Sequence, residues 1–221
     1  MDGNRRWAKK KKLSSLQGHR YGAEVLLKVV KAAAKIGIST LSVFVFSTEN
    51  WARKASEIRE LMRLLRFYLT TLKKEMIQEE VRLKVIGDLS RLPKMLQKLI
   101  DKVEEETKGG RRIELVLAIN YGGKNEIVRA VTSLVKDFAD KKIDLKEISE
   151  SLIATYLDTH GIKDPDLLIR TSGEMRISNF FLWQISYAEM YMTDVLWPDF
   201  NEEHLMRAIE VYQHRIRRQG Q

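Results

Sequence analysis

Five short apolar runs punctuate the chain, at residues 41–46, 81–86, 113–119, 167–169 and 195–197. They are β-branched or leucine-rich, lack alternation with polar residues, and are bounded by Gly, Pro, Asp or Asn. Strands covered on both faces read this way. Helical periodicity fills the intervals, over 21–35, 56–79, 93–107, 125–140, 145–157 and 202–218. Strand and helix alternate, which predicts an α/β fold: a mostly parallel central sheet with helices on both faces. With three prolines and no low-complexity tract or repeat, residues 1–221 are expected to form a single domain.

The 56–79 helix is not simply amphipathic. Ser56 stands at its expected N-cap, with Arg59 rather than Glu three positions on. Ile58, Leu61, Met62, Leu64, Leu65, Phe67, Tyr68, Leu69 and Leu72 cover a wider arc than the ~100° of one buried stripe. Either two sides of the helix pack, one on the sheet and one on a neighbour, or part of the face lines an apolar channel.

No apolar run approaches the roughly 20 residues of a membrane-spanning helix, and the first residues do not form a signal peptide. Cysteine is absent, which removes disulfides, thiolate zinc sites and cysteine nucleophiles. A reducing, cytoplasmic setting is expected. The net charge of +9 favours anionic partners: nucleic acid, anionic lipid or phosphorylated substrates. No nucleic-acid motif accompanies it. The basic clusters 9–12 and 215–218 read first as solvated faces.

In open parallel sheets, ligands bind outside the carboxyl ends of the strands. The segments 46–53, 120–123 and 170–174 leave the expected strands rich in polar groups and glycine, and 2–6 joins them at the chain start. These segments carry Arg5, Arg6, Arg53 and Arg170, with Arg176 close behind. Guanidinium groups grip phosphate oxygens in pairs. Gly3 and Asn4, ahead of a helix-compatible stretch, offer backbone N–H groups to an anion. Neither a P-loop nor a dinucleotide fingerprint occurs. Of the nearby carboxylates, Asp2, Glu49, Glu174 and Glu189, Asp2 beside a phosphate-binding turn suits Mg2+, which takes one or two carboxylates and completes its shell with water and phosphate. Asp2 is equally suited to capping a helix. His19 is a candidate phosphate donor or proton shuttle, or a cap. Trp51 suits either an apolar substrate or the core.

Together these segments resemble the successive motifs of the cis-prenyltransferases. The stretches that carry the resemblance are Met1–Ala8, Gly18-His19, Phe46–Trp51, Ile86-Gly87-Asp88, Asn120-Tyr121-Gly122-Gly123, Asp166–Phe180, Leu182-Trp183-Gln184 and Leu196–Phe200, in the family's order. The bacterial undecaprenyl diphosphate synthase branch is the most similar. The chain also lacks the D-D-x-x-D sequence of the all-helical trans-prenyltransferases.

The resemblance implies a Mg2+-dependent elongation of an allylic diphosphate, such as farnesyl diphosphate, by isopentenyl diphosphate. It makes Asp2 the Mg2+ ligand, with a second contact from Glu189. Gly3, Asn4, Arg5 and Arg6 would hold the allylic diphosphate, supported by Trp7, His19 and Arg53. Ser47, Thr48, Glu49, Asn50 and Trp51 would flank the reacting centre, and Arg170, Arg176, Ile177 and Ser178 would bind isopentenyl diphosphate. Asn50 lies near the proton that is lost; a neutral amide is a poor base, so its part is positioning or relay. The broad 56–79 face becomes one wall of an apolar product tunnel, with Ile113 at its floor. A homodimer, helped by the basic tail 215–220, and peripheral membrane contact are further expectations. Two departures stand out: Ser15 where the family has an arginine, and Lys54 where bacterial members have proline. The family places an apolar strand ahead of Asp2; without it Asp2 is expected to fray and activity to be low.

Overall fold

The structure, a computed structural model, describes residues 1–215. Strands β1 (Thr40–Ser47), β2 (Val81–Ile86) and β3 (Ile113–Tyr121) form a parallel sheet in the order β1-β3-β2. The central strand explains the missing alternation, since both its faces are covered. Leu115, Leu117 and Ile119 join one buried cluster, while Val116 and Ala118 join another. The first cluster gathers α2 (Ser15–Lys35), α3 (Ala55–Thr71), α4 (Lys73–Gln78), α5 (Lys94–Thr107) and α8 (Glu202–Gln213). The second packs Phe44 of β1 against Phe180, Phe181 and Ile185. From it leads α6 (Gly123–Ala139), whose Glu126 accepts from the Tyr121 hydroxyl at 2.6 Å, and α6 packs on α7 (Glu150–Tyr156). Each large side chain buried in these clusters contributes about 1.5–3 kcal/mol.

The expected single sheet is two pieces. Strands β4 (Leu167–Arg170) and β5 (Glu189–Met192) pair in parallel with each other, apart from the first three. Consecutive residues along β1 and β4 line one shared cavity, as strand edges do and strand faces do not. The 195–197 run is not a strand. Trp197 opens a 3-10 turn, its N–H donates to the Asp2 carbonyl at 2.9 Å, and its indole N–H donates to the Gly22 carbonyl at 2.7 Å. Its apolar character reflects burial under the chain start. The true fifth strand, Glu189–Met192, is only partly buried, and its Met190-Tyr191-Met192 stretch is neither β-branched nor leucine-rich.

Several helices also differ from their patterns. The second helix begins at Ser15, where Ser14 and Gln17 form a capping box. The 56–79 helix starts at Ala55 after Lys54, without a side-chain cap from Ser56. It breaks at Leu72, just after Thr70 and Thr71 hydrogen-bond back to the carbonyls of Arg66 and Phe67 at 2.8 and 2.9 Å. Such back-bonding competes with the helical ladder and bends it. The 145–157 helix divides into a 3-10 turn, Leu145–Glu147, and α7. The last helix ends at Gln213; the rest of the expected 202–218 helix, from 216 on, and the tail beyond Arg215 lie outside the described residues.

Candidate active site

The chain start is pinned rather than frayed. The Asp2 N–H donates to Thr171 Oγ1 at 3.0 Å, and the Asp2 carbonyl accepts from the Thr171 hydroxyl at 3.1 Å. Thr171 follows β4, so these bonds seat Asp2 at the carboxyl end of that strand. Gly3 then turns the chain into α1 (Asn4–Lys10) with φ 99°. A Cβ on Gly3 would lie 2.3 Å from Ser172 Oγ, so both conformation and space require glycine.

Asp2 Oδ1 accepts the Gly3 N–H at 2.7 Å, and Oδ2 accepts from Arg170 Nη2 at 3.0 Å. Burial pushes its carboxyl upward, but the Gly3 N–H and the Arg170 guanidinium outweigh it and hold the group below the usual range. The carboxylate is therefore ionised, with free lone pairs facing the cavity.

Carboxylates hold the other arginines in the same way. Arg6 Nη2 meets Glu174 at 2.8 Å, and Arg176 Nη1 meets the other oxygen of Glu174 at 2.5 Å. Arg53 Nη1 meets Glu57 at 2.9 Å, and Arg5 reaches the same oxygen at 3.8 Å. Five guanidinium groups thus surround three carboxylates, an excess of positive charge at one mouth. Some donors are left over. Arg170 Nε and His19 Nε2 are buried without a hydrogen-bond partner, as are Ser172 Oγ and Asn4 Oδ1. Unsatisfied buried polar atoms in one place mark a site shaped for a polar ligand. His19 is kept neutral: burial first, then the Arg53 charge, lower its pKa to about 4.

All of this opens on a cavity of about 2160 Å³. Asp2, Gly3, Asn4, Arg5, Arg6 and His19 line it, as do Ser47, Glu49, Asn50 and Arg53 from the β1 exit and Arg170, Arg176, Ile177 and Ser178 from the β4 exit. Its deeper walls are apolar: Leu61, Leu65, Leu69 and Leu72 from the α3 stretch, Met76 of α4, and Leu115 and Leu117 of β3. Part of the broad 56–79 face thus borders the cavity, while the same helix also packs on α2 and α5. Ile113 is buried two residues further back and is not part of the wall.

Four expected residues stand elsewhere. Trp7 is buried beside Tyr21 and donates its indole N–H to Asp199 at 2.6 Å, tying α1 to the 3-10 turn Trp197–Asp199. Trp51 turns away, donating to Asn120 Oδ1 at 2.6 Å and packing on Phe46. Thr48 sits against Gly122. Glu189 pairs with Leu167 in the β4–β5 ladder, three residues back from Arg170, and its carboxylate meets Arg215 at 2.6 Å. That spacing is about 10 Å of strand, so this chain does not bring Glu189 to Asp2. Thr171 and Asn179 lie in segments that the sequence singled out, with no role of their own assigned, and Glu57 lies outside those segments. Glu57 leaves a signal in its spacing, four residues after Arg53, which stands just ahead of α3.

A family model described as "Putative undecaprenyl diphosphate synthase" matches residues 1–220. The chain belongs to that family. Isoprenyl transferase of Chlamydia muridarum is 51% identical over 224 residues, covering 100% of this chain and 88% of the relative. Isoprenyl transferase of Bacillus thuringiensis is 47% identical over 220 residues, covering 100% of this chain and 85% of the relative. Among solved structures, lavandulyl diphosphate synthase from Lavandula x intermedia, in complex with dimethylallyl diphosphate, superposes with TM-score 0.96 at 34% identity, covering 100% of this chain and 95% of the other. A probable undecaprenyl diphosphate synthase from Campylobacter jejuni gives TM-score 0.81 at 36% identity, covering 91% and 92%. Membership makes this protein a prenyltransferase of isoprenoid synthesis and agrees with its α/β class.

Proposed function

We propose that the protein condenses isopentenyl diphosphate with an allylic diphosphate, farnesyl diphosphate being the expected primer, and repeats the step to a cis-polyprenyl diphosphate such as undecaprenyl diphosphate. One observation carries this reading: a cluster of five arginines and one ionised aspartate stands at the mouth of an apolar cavity. Diphosphates need the first part, and a growing hydrocarbon chain needs the second.

In the reaction, the terminal alkene carbon of isopentenyl diphosphate bonds to C1 of the allylic substrate. The C1–O bond breaks, pyrophosphate leaves, and the proton lost from C2 of isopentenyl diphosphate passes to that pyrophosphate as the cis double bond forms. Arg5, Arg6 and Arg53 would hold the allylic diphosphate, exchanging contacts with Glu57 and Glu174 for phosphate oxygens. Arg170, Arg176 and Ser178 would hold the second diphosphate. The arginines stabilise charge as it gathers on the leaving group, which is where preorganised donors act most strongly. Neutral His19 supplies one N–H donor. Asn50 Oδ1 already accepts the Ser47 N–H at 3.1 Å, so this amide orients the substrate rather than taking the proton. The ionised, half-exposed Asp2 carboxylate fits Mg2+ bound together with substrate phosphates. When bound, Mg2+ would neutralise the departing pyrophosphate. The resemblance also implies a homodimer and peripheral contact with a membrane; no described helix is long and apolar enough to cross one.

The test is incorporation of labelled isopentenyl diphosphate onto farnesyl or dimethylallyl diphosphate, with and without Mg2+, resolved by chain length. Mg2+-dependent long cis products are expected. Incorporation onto neither primer would overturn the reading; short products alone would reassign the product.

A further inference from the structure

We propose that Asn120, which touches no part of the cavity, is a positioning residue for this reaction: it sets the turn carrying Ser47 and Asn50 by holding Trp51. The inference rests on the elongation reading above.

Asn120 is 1% exposed and adopts φ 49° at the carboxyl end of β3, left-handed backbone that asparagine enters more readily than other non-glycine residues. Its side chain is fully engaged. Oδ1 accepts the Trp51 indole N–H at 2.6 Å, and Nδ2 donates to the Asp88 carbonyl at 2.5 Å. An indole nitrogen can only donate and a carbonyl can only accept, so the two partners fix which end of the amide is oxygen. The backbone adds a third tie, with the Asp88 N–H donating to the Asn120 carbonyl at 3.2 Å. Asn120 therefore joins the ends of β2 and β3 to the 3-10 turn Thr48–Ala52.

Trp51 lies on that turn next to Asn50. Its ring is held between Phe46, at 5.2 Å, and the Arg91 guanidinium, at 4.6 Å. With the indole anchored, the turn keeps Asn50 Oδ1 on the Ser47 N–H and both residues in the cavity wall.

The same strand end holds the opposite wall. The Gly123 N–H donates to the Asn179 carbonyl at 2.7 Å, and the Lys124 N–H donates to Asn179 Oδ1 at 2.9 Å. Asn179 Nδ2 then crosses to Glu49 at 2.9 Å. The Asn120–Gly123 segment thus sets the spacing of two loops from one rigid strand. No substrate need touch it for the reaction to depend on it.

The experiment compares wild type, Asn120→Ala, Trp51→Phe and the double variant, each assayed below its own melting temperature. Both single variants are expected to lose about 10- to 100-fold in kcat, the effect of ångström-scale misplacement. KM for each diphosphate should change far less. Because the two residues act through one bond, the double variant should lose no more than the worse single. Singles that melt earlier yet keep kcat within about twofold would overturn the proposal, as would losses that multiply in the double variant. Exchange of the Trp51 indole proton, followed by NMR, reads the tie without turnover. It should be slow in wild type and accelerated in Asn120→Ala; an unchanged rate would also overturn the proposal. A wild-type protein with a slow indole proton but no condensation would defeat the elongation reading instead.

Discussion

Asp2 and Gly3 act as a pair. The glycine's φ of 99° aims its N–H at the Asp2 carboxylate, and its missing side chain lets Ser172 and Leu196 close over the turn. Gly3→Ala should destabilise the protein by about 1–3 kcal/mol through left-handed strain. It should also abolish most turnover; thermal unfolding and kcat/KM together check both, and a variant with wild-type melting would contradict the strain argument. His19 carries a pH signature. Folded, it binds a proton at about 4, against 6.5 when free. Between those values the unfolded chain holds more protons, so stability rises with pH across that window. Urea midpoints taken through the window should rise more steeply with pH in wild type than in His19→Gln; equal slopes would show that the ring is not the group responsible. The motifs named Asp2, Gly3, His19 and the arginines because phosphate chemistry restricts residue type. Thr171 and Asn179 lay inside those motifs without a role, since a hydroxyl or amide gains its role only from what folding sets beside it.

At the scale of elements, α3 and α4 show how one sequence stretch is divided between sheet and cavity. Leu115 lies six residues back from the β3 exit at Tyr121, about 20 Å along the strand, and Met76 lines the same cavity. Leu115→Ala should lengthen the products, whereas Ile113→Ala, behind the wall, should leave them unchanged. Chromatography of product lengths separates the two, and the opposite pattern would return the cavity floor to Ile113. The open edges of β1 and β4 lead to a second expectation. An apolar, strand-forming segment joined ahead of Met1 should pair with both, because unpaired strand edges template a further strand. Amide exchange in β1 and β4 should slow in the extended protein; unchanged exchange would mean that the cavity, not a strand, belongs between them.

Over the whole molecule, a net charge of +9 with surplus guanidinium groups at the cavity mouth should draw diphosphates in from a distance. KM should therefore rise with ionic strength as screening shortens to about 8 Å, while kcat holds nearly steady. A KM insensitive to salt would assign recognition to short-range contacts alone. The sequence by itself determined the α/β class, the parallel pairing and the chemistry of the mouth. Unbroken apolar runs occur only where both strand faces are covered, and arginine, glycine and aspartate are restricted to particular geometries. It misplaced β5 and merged two sheets into one, because burial under a neighbouring segment and burial in a sheet leave the same apolar imprint. Only the tertiary structure decided which tryptophans anchor the fold and which carboxylate holds which arginine. It also separated Glu189 from Asp2. These are long-range contacts, and a local pattern of polar and apolar residues records that a group is buried without recording its partner.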